Sequence, residues 1–418
     1  METTAALITR SDTLIPPFDE PAREILVANE RLGTYQDRIL SELGIAPTRI
    51  PESEVASRLG PGAPAGETLL FAENLFFSPE FLTEFMRRSR ASGAGLTRAC
   101  LKRGVFSQQL AVLQEVEQTE EHLAFPLFFA KGTAFDPKTA VSIVIDVDEH
   151  FESGNFPRHM LGKDNFRFSV TTRPILALTE PVHIGLASMA ANFARLGRLR
   201  KPGPVGALRA LLAILTAFSL DRETLKARAL RALSRIDPTA RVHPTAVVEG
   251  SVIGPGARIG AYAVVRFSVV GADAFVDDHA GIKFSIIGDR AYIANNNVIF
   301  FSTVYPGAFL ISGPYHFCCF GYDSAIFNSI PSDYRLDGKT IKVATSRGVQ
   351  DTGLRFGGSI VGHKTRIAAG LIFPPGRAIP GGVTLYPDPA RVVGNIDPDL
   401  PRRGQVWYLK DGRLVDTP

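Results

Sequence analysis

A polar stretch in the C-terminal half of the chain carries residue types that can bind and transfer charged groups. Asp333 is followed by Lys339 and Lys342, three residues apart, and His316 lies upstream in the segment PYHFCCFGYDS. An imidazole exchanges protons near neutral pH, and ammonium groups bind phosphate oxygens. Together such groups can deprotonate an amine and hold a phosphorylated substrate. The alternative interpretation is structural, with a packed histidine and a solvated lysine loop.

The sequence on both sides of this stretch is repetitive. Three apolar columns recur every 17 residues, and serine recurs at the same interval from Ser251 to Ser302. The columns are Ile253, Val270, Ile287 and Val304; Ile259, Val276, Ile293 and Leu310; and Val248, Val265, Ile282 and Ile299. Within one period the apolar steps are five, six and six. A step of six keeps a strand's side chains on one face but fits a helical turn poorly. The pattern therefore predicts a three-sided parallel β-helix of hexapeptide repeats.

The repeat also gives the domain boundaries of the C-terminal half. The array is regular over about 236–310 and resumes at about 360–385. Insertions in a solenoid form surface loops, commonly on a binding face. We predict a β-helix over 236–395 with a loop insertion at about 311–358, followed by a C-terminal tail at 396–418.

The interrupting loop resembles a known enzyme family. DYRLDGKTIKV…GVQDTGLRFGGSIVGHKTRIAAGLIFPPGRAI is similar to the C-terminal half of archaeal-type bifunctional enzymes. Those enzymes join a sugar-1-phosphate nucleotidylyltransferase domain to an amino-sugar-1-phosphate acetyltransferase β-helix. Lys339 and Lys342 match the family's two active-site lysines in spacing, and Asp333 replaces its loop asparagine. His316 matches the catalytic histidine, although the interval from His316 to Asp333 is one hexapeptide shorter than in the family.

This resemblance implies a left-handed β-helix, a homotrimer and an acyltransferase activity. The expected reaction moves acetyl from acetyl-CoA to an amino group of a sugar phosphate or nucleotide sugar. His316 would be the catalytic base and Asp333 would position the acceptor. Lys339 and Lys342 would bind the phosphates of substrate or coenzyme A. His363, which follows a corner glycine, is a further candidate for this binding.

The N-terminal half lacks repeats and alternates strand-like with helical segments, which favours an α/β fold with a largely parallel sheet. Residues 16–45 resemble the start of sugar nucleotidyltransferases, whose domain is Rossmann-like. Ala22 stands where that family has a lysine, and Glu73–Asn74 stands where it has a Gly-Asp dipeptide that supplies a metal-binding carboxylate. No glycine run precedes Pro16 to hold a triphosphate. We therefore predict a degenerate nucleotidyltransferase-like domain over 1–183, which would need Mg²⁺ only if it were active.

The segment 184–235 is predicted to be a basic helical connector. Its simplest role is to cover the first coil of the β-helix, because solenoid ends need a cap. The alternative, based on its arginine and lysine cluster, is peripheral contact with an anionic membrane. Asp146 and Asp148, on alternate residues of one strand, are a candidate pair for a divalent cation. We find no ligand spacing typical of a metal site elsewhere, and we expect no metal at the candidate site.

Composition limits the function classes. The chain of 418 residues is 45% hydrophobic and 21% charged, with a formal net charge of +4, which does not indicate a nucleic-acid partner. Three cysteines and an N-terminus without an export signal favour the cytoplasm. The preferred function is acyl transfer. The alternatives are a nucleotidylyltransferase with a rebuilt site and a non-catalytic sugar-nucleotide-binding scaffold.

Overall fold

The chain forms an N-terminal α/β region, three consecutive helices and a C-terminal parallel β-helix. The structure is a computed structural model. It describes residues 4–60, 66–132, 135–154, 166–216, 221–393 and 406–415.

A mixed sheet is the centre of the N-terminal region. From edge to edge its strands are Val141–Ile145, Leu96–Lys102, His122–Lys131, Glu67–Ala72, Ala5–Thr9 and Ala46–Ile50, and Glu117–Gln118 pairs with His122–Lys131. The strand His122–Lys131 is antiparallel to both of its long neighbours, whereas the other long strands share one direction. The sheet is thus mostly parallel, as the alternation of strands and helices predicted. Its kinship with nucleotidyltransferases stays a prediction.

Short helices and hairpins surround this sheet. The helices are Leu32–Glu42, Val55–Arg58, Pro79–Ala91 and Val105–Gln109. The third of them begins where the Ser78 hydroxyl accepts a hydrogen bond from the Phe81 N–H, with Pro79 at the first helical position. The two-stranded pairs are Leu14–Ile15 with Glu20–Pro21, Leu26–Val27 with Glu30–Arg31, Leu75–Phe77 with Ile175–Ala177, and His150–Gly154 with Phe166–Val170.

Three helices connect the two regions: Pro181–Arg200, Pro204–Leu215 and Arg222–Ala232. The first begins three residues before the predicted connector and buries twelve of its residues between the α/β region and the β-helix. The second and third helices contain no buried residue. The connector is therefore two different structures: a buried helix that joins the regions and an exposed helical pair.

Three stacked parallel sheets form the β-helix, which fits the predicted left-handed coil. The first sheet contains Arg235–Ile236, Val252–Ile253, Val269–Val270, Ile286–Ile287, Thr303–Val304, Cys319–Phe320, Ile360–Val361 and Ala378–Ile379. The second contains Arg241–Val242, Arg258–Ile259, Phe275–Val276, Tyr292–Ile293, Phe309–Ile311, Ala325–Phe327, Arg366–Ile367 and Thr384–Leu385. The third contains Val247–Glu249, Val264–Arg266, Gly281–Lys283, Val298–Phe300 and Pro314–His316, and a separate pair joins Ile330–Pro331 to Ile372–Phe373. The apolar columns of the repeat are the buried core.

The serine column has a structural role inside the coil. The backbone N–H groups of Ser268, Ser285 and Ser302 each donate to the hydroxyl of the preceding serine, at 3.1 Å. The Cys318 N–H continues the column by donating to the Ser302 hydroxyl at 3.0 Å. These bonds satisfy buried backbone N–H groups at one corner of each coil. Such groups need a protein partner because no water reaches them there.

A ladder of phenylalanines joins the β-helix to the rest of the molecule. Phe267, Phe284, Phe301 and Phe317 stack on successive coils with ring centroids 4.9–5.1 Å apart, and Phe317 stacks on Phe356. The four ladder residues that lie on the coils have φ near +50°, which is unfavourable for a bulky side chain. Ring stacking and burial against the helix Pro181–Arg200 compensate for that conformation. The two regions therefore share one core.

The loop that interrupts the β-helix is shorter than predicted. Strands within 314–327 pair with the preceding coils, so the insertion covers about 332–359 and not about 311–358. It contains a hairpin, Lys342–Thr345 with Gly348–Asp351. At its tip the Ser346 hydroxyl donates to Glu180 Oε1 at 2.6 Å. The insertion therefore reaches across to the N-terminal region.

The described part of the C-terminal tail is a hairpin, Tyr408–Lys410 with Arg413–Val415. A search of the described residues finds no helix that is long and apolar enough to cross a membrane.

Candidate functional site

The candidate site lies on an outward column of the third sheet. Glu249, Arg266, Lys283, Phe300 and His316 occupy equivalent positions on five successive coils. Parallel strands lie about 4.8 Å apart, so neighbours in this column are within side-chain reach. At its N-terminal end Arg266 Nε donates to Glu249 Oε2 at 2.8 Å. The column ends in a histidine at the coil where the insertion begins.

His316 and Asp333 form a pair at this end of the column. His316 Nδ1 lies 3.2 Å from Asp333 Oδ2, and the two side chains are 34% and 27% exposed. Because a carboxylate accepts hydrogen bonds, this contact places the imidazole proton on Nδ1 and leaves the Nε2 lone pair available. The Phe300 ring lies edge-on to the imidazole, with centroids 5.7 Å apart. The pair thus has one nitrogen committed and one able to accept a proton.

The pairing follows from the coil. Asp333 lies 17 residues after His316, which is one period of the repeat, so the next turn returns the chain beside the histidine. The Gly357 N–H donates to the Asp333 carbonyl at 2.9 Å, and Tyr334 forms a bridge with Phe356. These bonds fix the base of the insertion and hold Asp333 in place. The shorter interval relative to the family leaves the pair intact.

Lys339 and Lys342 extend from the same insertion into solvent. The Lys339 N–H donates to Asp337 Oδ1, while Lys342 lies opposite Asp351 in the hairpin. Hydrogen bonding from Arg335 lowers the pKa of Asp337 to about 2. A hydrogen bond from Thr340 is the main cause of a lowered pKa at Asp351. Within the described structure neither lysine contacts His316 or Asp333, so only sequence proximity links them to the pair.

His363 occupies a different place. Its Nδ1 accepts a hydrogen bond from the Tyr322 N–H at 2.9 Å, and its Nε2 lies 3.3 Å from Glu20 Oε1. Its ring packs against Phe18, with centroids 4.2 Å apart. These contacts lie between the β-helix and the N-terminal region. The structure does not bring His363 to the His316–Asp333 pair, and its phosphate-binding role stays a prediction.

The N-terminal region uses its aligned carboxylate structurally. Glu73 is fully buried, and its Oε1 accepts from the Ser11 N–H at 2.8 Å and from Arg23 Nη1 at 3.3 Å. A neighbouring cavity has a volume of about 370 Å³, and Ser346 of the insertion is among its lining residues. Its lining contains Glu115 and Glu180 but, among the described residues, no lysine or arginine. A triphosphate would find no cationic partner among these lining residues, and Glu73 Oε1 is already bonded to the Ser11 N–H and to Arg23.

The carboxylates of Asp146 and Asp148 also form hydrogen bonds within the fold. Asp146 Oδ2 accepts from Lys102 Nζ at 2.8 Å. Asp148 accepts from the N–H groups of Val105 and Phe106 at the start of a helix. The two carboxylates therefore have different partners, and the cation pair that their spacing suggested stays a prediction. No group of three or more histidine, cysteine or acidic side chains that could hold a metal ion is found in the described ranges.

Two features of the site were missed from the sequence. Lys283 is an exposed cation two coils from His316 in the same column. The phenylalanine ladder behind the site recurs every 17 residues at Phe267, Phe284 and Phe301. Both follow from the period that predicted the fold, if it is applied to outward positions as well as to the core.

Comparisons with known proteins add little beyond this geometry. No family model and no curated protein matched the chain. One solved structure, a hexapeptide transferase family protein from Anaplasma phagocytophilum, is 16% identical over 37% of this chain and 75% of that one, with a TM-score of 0.23. Another, the acetyltransferase domain of PglB from Neisseria gonorrhoeae FA1090, is 23% identical over 36% of this chain and 53% of that one, with a TM-score of 0.14. Likeness at this level carries no argument about activity.

Proposed function

We propose that the protein is an acyltransferase that acetylates an amino group of a sugar phosphate or nucleotide sugar, with acetyl-CoA as donor. The observation that carries this proposal is the His316–Asp333 pair, in which Nδ1 faces a carboxylate and Nε2 can accept a proton. Both side chains are partly exposed on the outer wall of a hexapeptide β-helix. A substrate can therefore reach them without rearrangement of the core.

The reaction divides into steps that this pair can serve. The acceptor nitrogen attacks the thioester carbonyl carbon and forms the new C–N bond, while His316 Nε2 takes a proton from that nitrogen. The tetrahedral intermediate then releases coenzyme A as the C–S bond breaks. The imidazolium returns its proton to the leaving thiolate. Asp333 keeps the imidazole in the productive tautomer and stabilises its charged form, a role that replaces the acceptor-positioning role predicted from the sequence.

Phosphate recognition is assigned to the lysines of the insertion. Lys339 and Lys342 are exposed and flexible point charges close in sequence to Asp333, and Lys283 adds a cation to the same wall. Phosphates of the acceptor or of coenzyme A would neutralise them. A homotrimer, as the resemblance implied, would bring the wall of a neighbouring subunit to the same site.

The test is release of coenzyme A from acetyl-CoA, measured with and without each member of a panel of amino-sugar phosphates and nucleotide amino sugars. The wild-type protein should release coenzyme A only when an acceptor is present, and His316→Ala should not. His279→Ala is the matched control, because His279 is an exposed histidine of the β-helix that stacks on Tyr262 and lies two coils before the site. Absence of acceptor-dependent release from the wild type, or equal loss in both variants, would overturn the proposal.

A further inference from the structure

The helix Pro204–Leu215 presents an unusual surface. Five large apolar side chains are between 51% and 73% exposed: Val205, Leu208, Leu211, Leu212 and Leu215. Their spacing places them on one face of the helix. A soluble surface rarely leaves such a contiguous apolar stripe uncovered without a binding role. None of the residues of this helix is buried.

The opposite face of the same helix is in contact with a neighbouring helix. That face packs on the helix Arg222–Ala232, and a side chain added at Gly206 would contact Leu233. Arg228 Nη1 donates to the Thr216 carbonyl at 3.0 Å and so fixes the end of one helix to the other. The helix Arg222–Ala232 thus occupies the face opposite the leucine stripe, and the stripe faces outward.

The charge around the stripe indicates what covers it. Residues 195–235 contain ten basic and two acidic residues, a net charge of +8, although the whole chain carries only +4. The remainder of the chain is therefore net negative. Lys201, Arg209, Arg222 and Lys226 are exposed and belong to no ion pair in the described structure. These four cations therefore lie on or directly beside the two helices of the exposed pair, one of which carries the apolar stripe.

We propose that this helical pair docks on an anionic lipid bilayer, with the leucine stripe at the headgroup–acyl boundary and the free cations on lipid phosphates. An apolar stripe gains from the acyl region, and basic side chains gain from anionic headgroups, so one surface satisfies both. A second copy of the chain would bury the stripe too, but it would bring two segments of +8 together. This proposal is independent of the proposed acyl transfer.

The experiment is co-sedimentation of the full chain with vesicles, either of phosphatidylcholine alone or of phosphatidylcholine with phosphatidylglycerol. The protein should bind the mixed vesicles, and binding should weaken as salt is raised. Leu208→Gln/Leu212→Gln should abolish detectable binding, because it removes apolar surface without changing charge or helix propensity much. Leu336→Gln, at a 95% exposed leucine of the insertion, should bind as the wild type does. Arg209→Glu should lower the partition coefficient about tenfold or more.

Three results would overturn the proposal. The first is a wild-type protein that stays in the supernatant with anionic vesicles at low salt. The second is a wild-type oligomer, measured by light scattering, that dissociates in Leu208→Gln/Leu212→Gln, which would assign the stripe to a second copy. A double variant that is monodisperse, folded by circular dichroism and still bound to vesicles would equally exclude the stripe as the lipid contact.

Discussion

His316 and His183 show how two regions use the same side chain for opposite purposes. His316 is partly exposed and has one nitrogen bonded to a carboxylate. His183 is fully buried at the start of the helix Pro181–Arg200, and both of its nitrogens are bonded. Its Nδ1 accepts from two backbone N–H groups, and its Nε2 donates to the Val112 carbonyl. Chemistry needs an uncommitted nitrogen within reach of solvent, whereas a fully bonded imidazole can only support the fold.

The largest expected effect is on turnover at His316. His316→Ala should lower the rate of acetyl transfer by about 10²- to 10⁴-fold, since general base catalysis contributes on that scale. The free energy of unfolding should change by less than about 0.5 kcal/mol, as is usual for side chains near the surface. Turnover kinetics and urea unfolding of the same preparation measure both quantities. A variant that keeps its rate would remove His316 from the mechanism.

The converse effect is expected at His183. His183→Ala removes the acceptor of the Thr179 and Glu180 N–H groups and the donor to the Val112 carbonyl. Loss of these buried bonds, with a cavity, should reduce the free energy of unfolding by about 3 kcal/mol. Chemical denaturation is the measurement. At a temperature where the variant remains folded, its rate of acetyl transfer per folded molecule should equal that of the wild type. A lower rate in the folded variant would contradict a purely structural role for His183.

The same burial predicts a pH dependence of stability. Desolvation lowers the pKa of His183 to about 4, whereas an unfolded histidine titrates near 6.5. Between these values the unfolded chain binds a proton that the folded protein excludes, so stability falls as pH falls through 6.5. The contribution lost between pH 7.5 and pH 5 should be about 2 kcal/mol.

His183→Gln isolates this contribution. A glutamine amide can accept from a backbone N–H and donate to a carbonyl, but it does not titrate. The difference in unfolding free energy between wild type and variant should shrink as the pH is lowered from 7.5 to 5. Parallel pH profiles for the two proteins would mean that His183 is not the group responsible.

Much of the fold could be predicted from the sequence because the β-helix is periodic. Each coil repeats one short pattern, so the apolar columns directly specify the sheets. The same period could have predicted that Asp333 lies beside His316, since the two residues are 17 positions apart. The insertion interrupts the apolar columns just after Asp333, so the one-period relation is not visible in the repeat. The family spacing indicated only that the interval is one hexapeptide shorter. The phenylalanine ladder was missed because outward columns were treated as surface.

The N-terminal region could be predicted only in outline. Alternating strands and helices indicated an α/β fold, but the order of strands depends on contacts between segments distant in sequence. The same holds for Glu180, whose carboxylate binds the hairpin tip at Ser346, 166 residues away. Local patterns carry no information on such contacts. The bonds that Glu73 and His363 form within the fold could therefore be seen only in the structure.

A moderate effect is expected at Asp333. Asp333→Asn keeps the shape but replaces the carboxylate that faces His316 Nδ1 with an amide. Loss of a charge-assisted hydrogen bond should reduce the rate of acetyl transfer by about tenfold, with the KM for acetyl-CoA changed little. Steady-state kinetics separate the two parameters. A rise in the KM for the acceptor at constant kcat would instead support the acceptor-positioning role that the sequence suggested.

The smallest effect is expected at His363, which tests whether the third histidine resembles His316 or His183. Its Nδ1 accepts from the Tyr322 N–H, and its ring lies between Phe18 and Glu20 of the N-terminal region. His363→Gln should therefore cost about 1 kcal/mol of unfolding free energy, the scale of one hydrogen bond, and change the KM for acetyl-CoA by less than about twofold. Calorimetric titration with coenzyme A gives a direct control, because a phosphate ligand lost with His363 would weaken binding at unchanged stability. That outcome would move the phosphate site to the boundary between the two regions, and the insertion lysines would then no longer be sufficient to explain recognition.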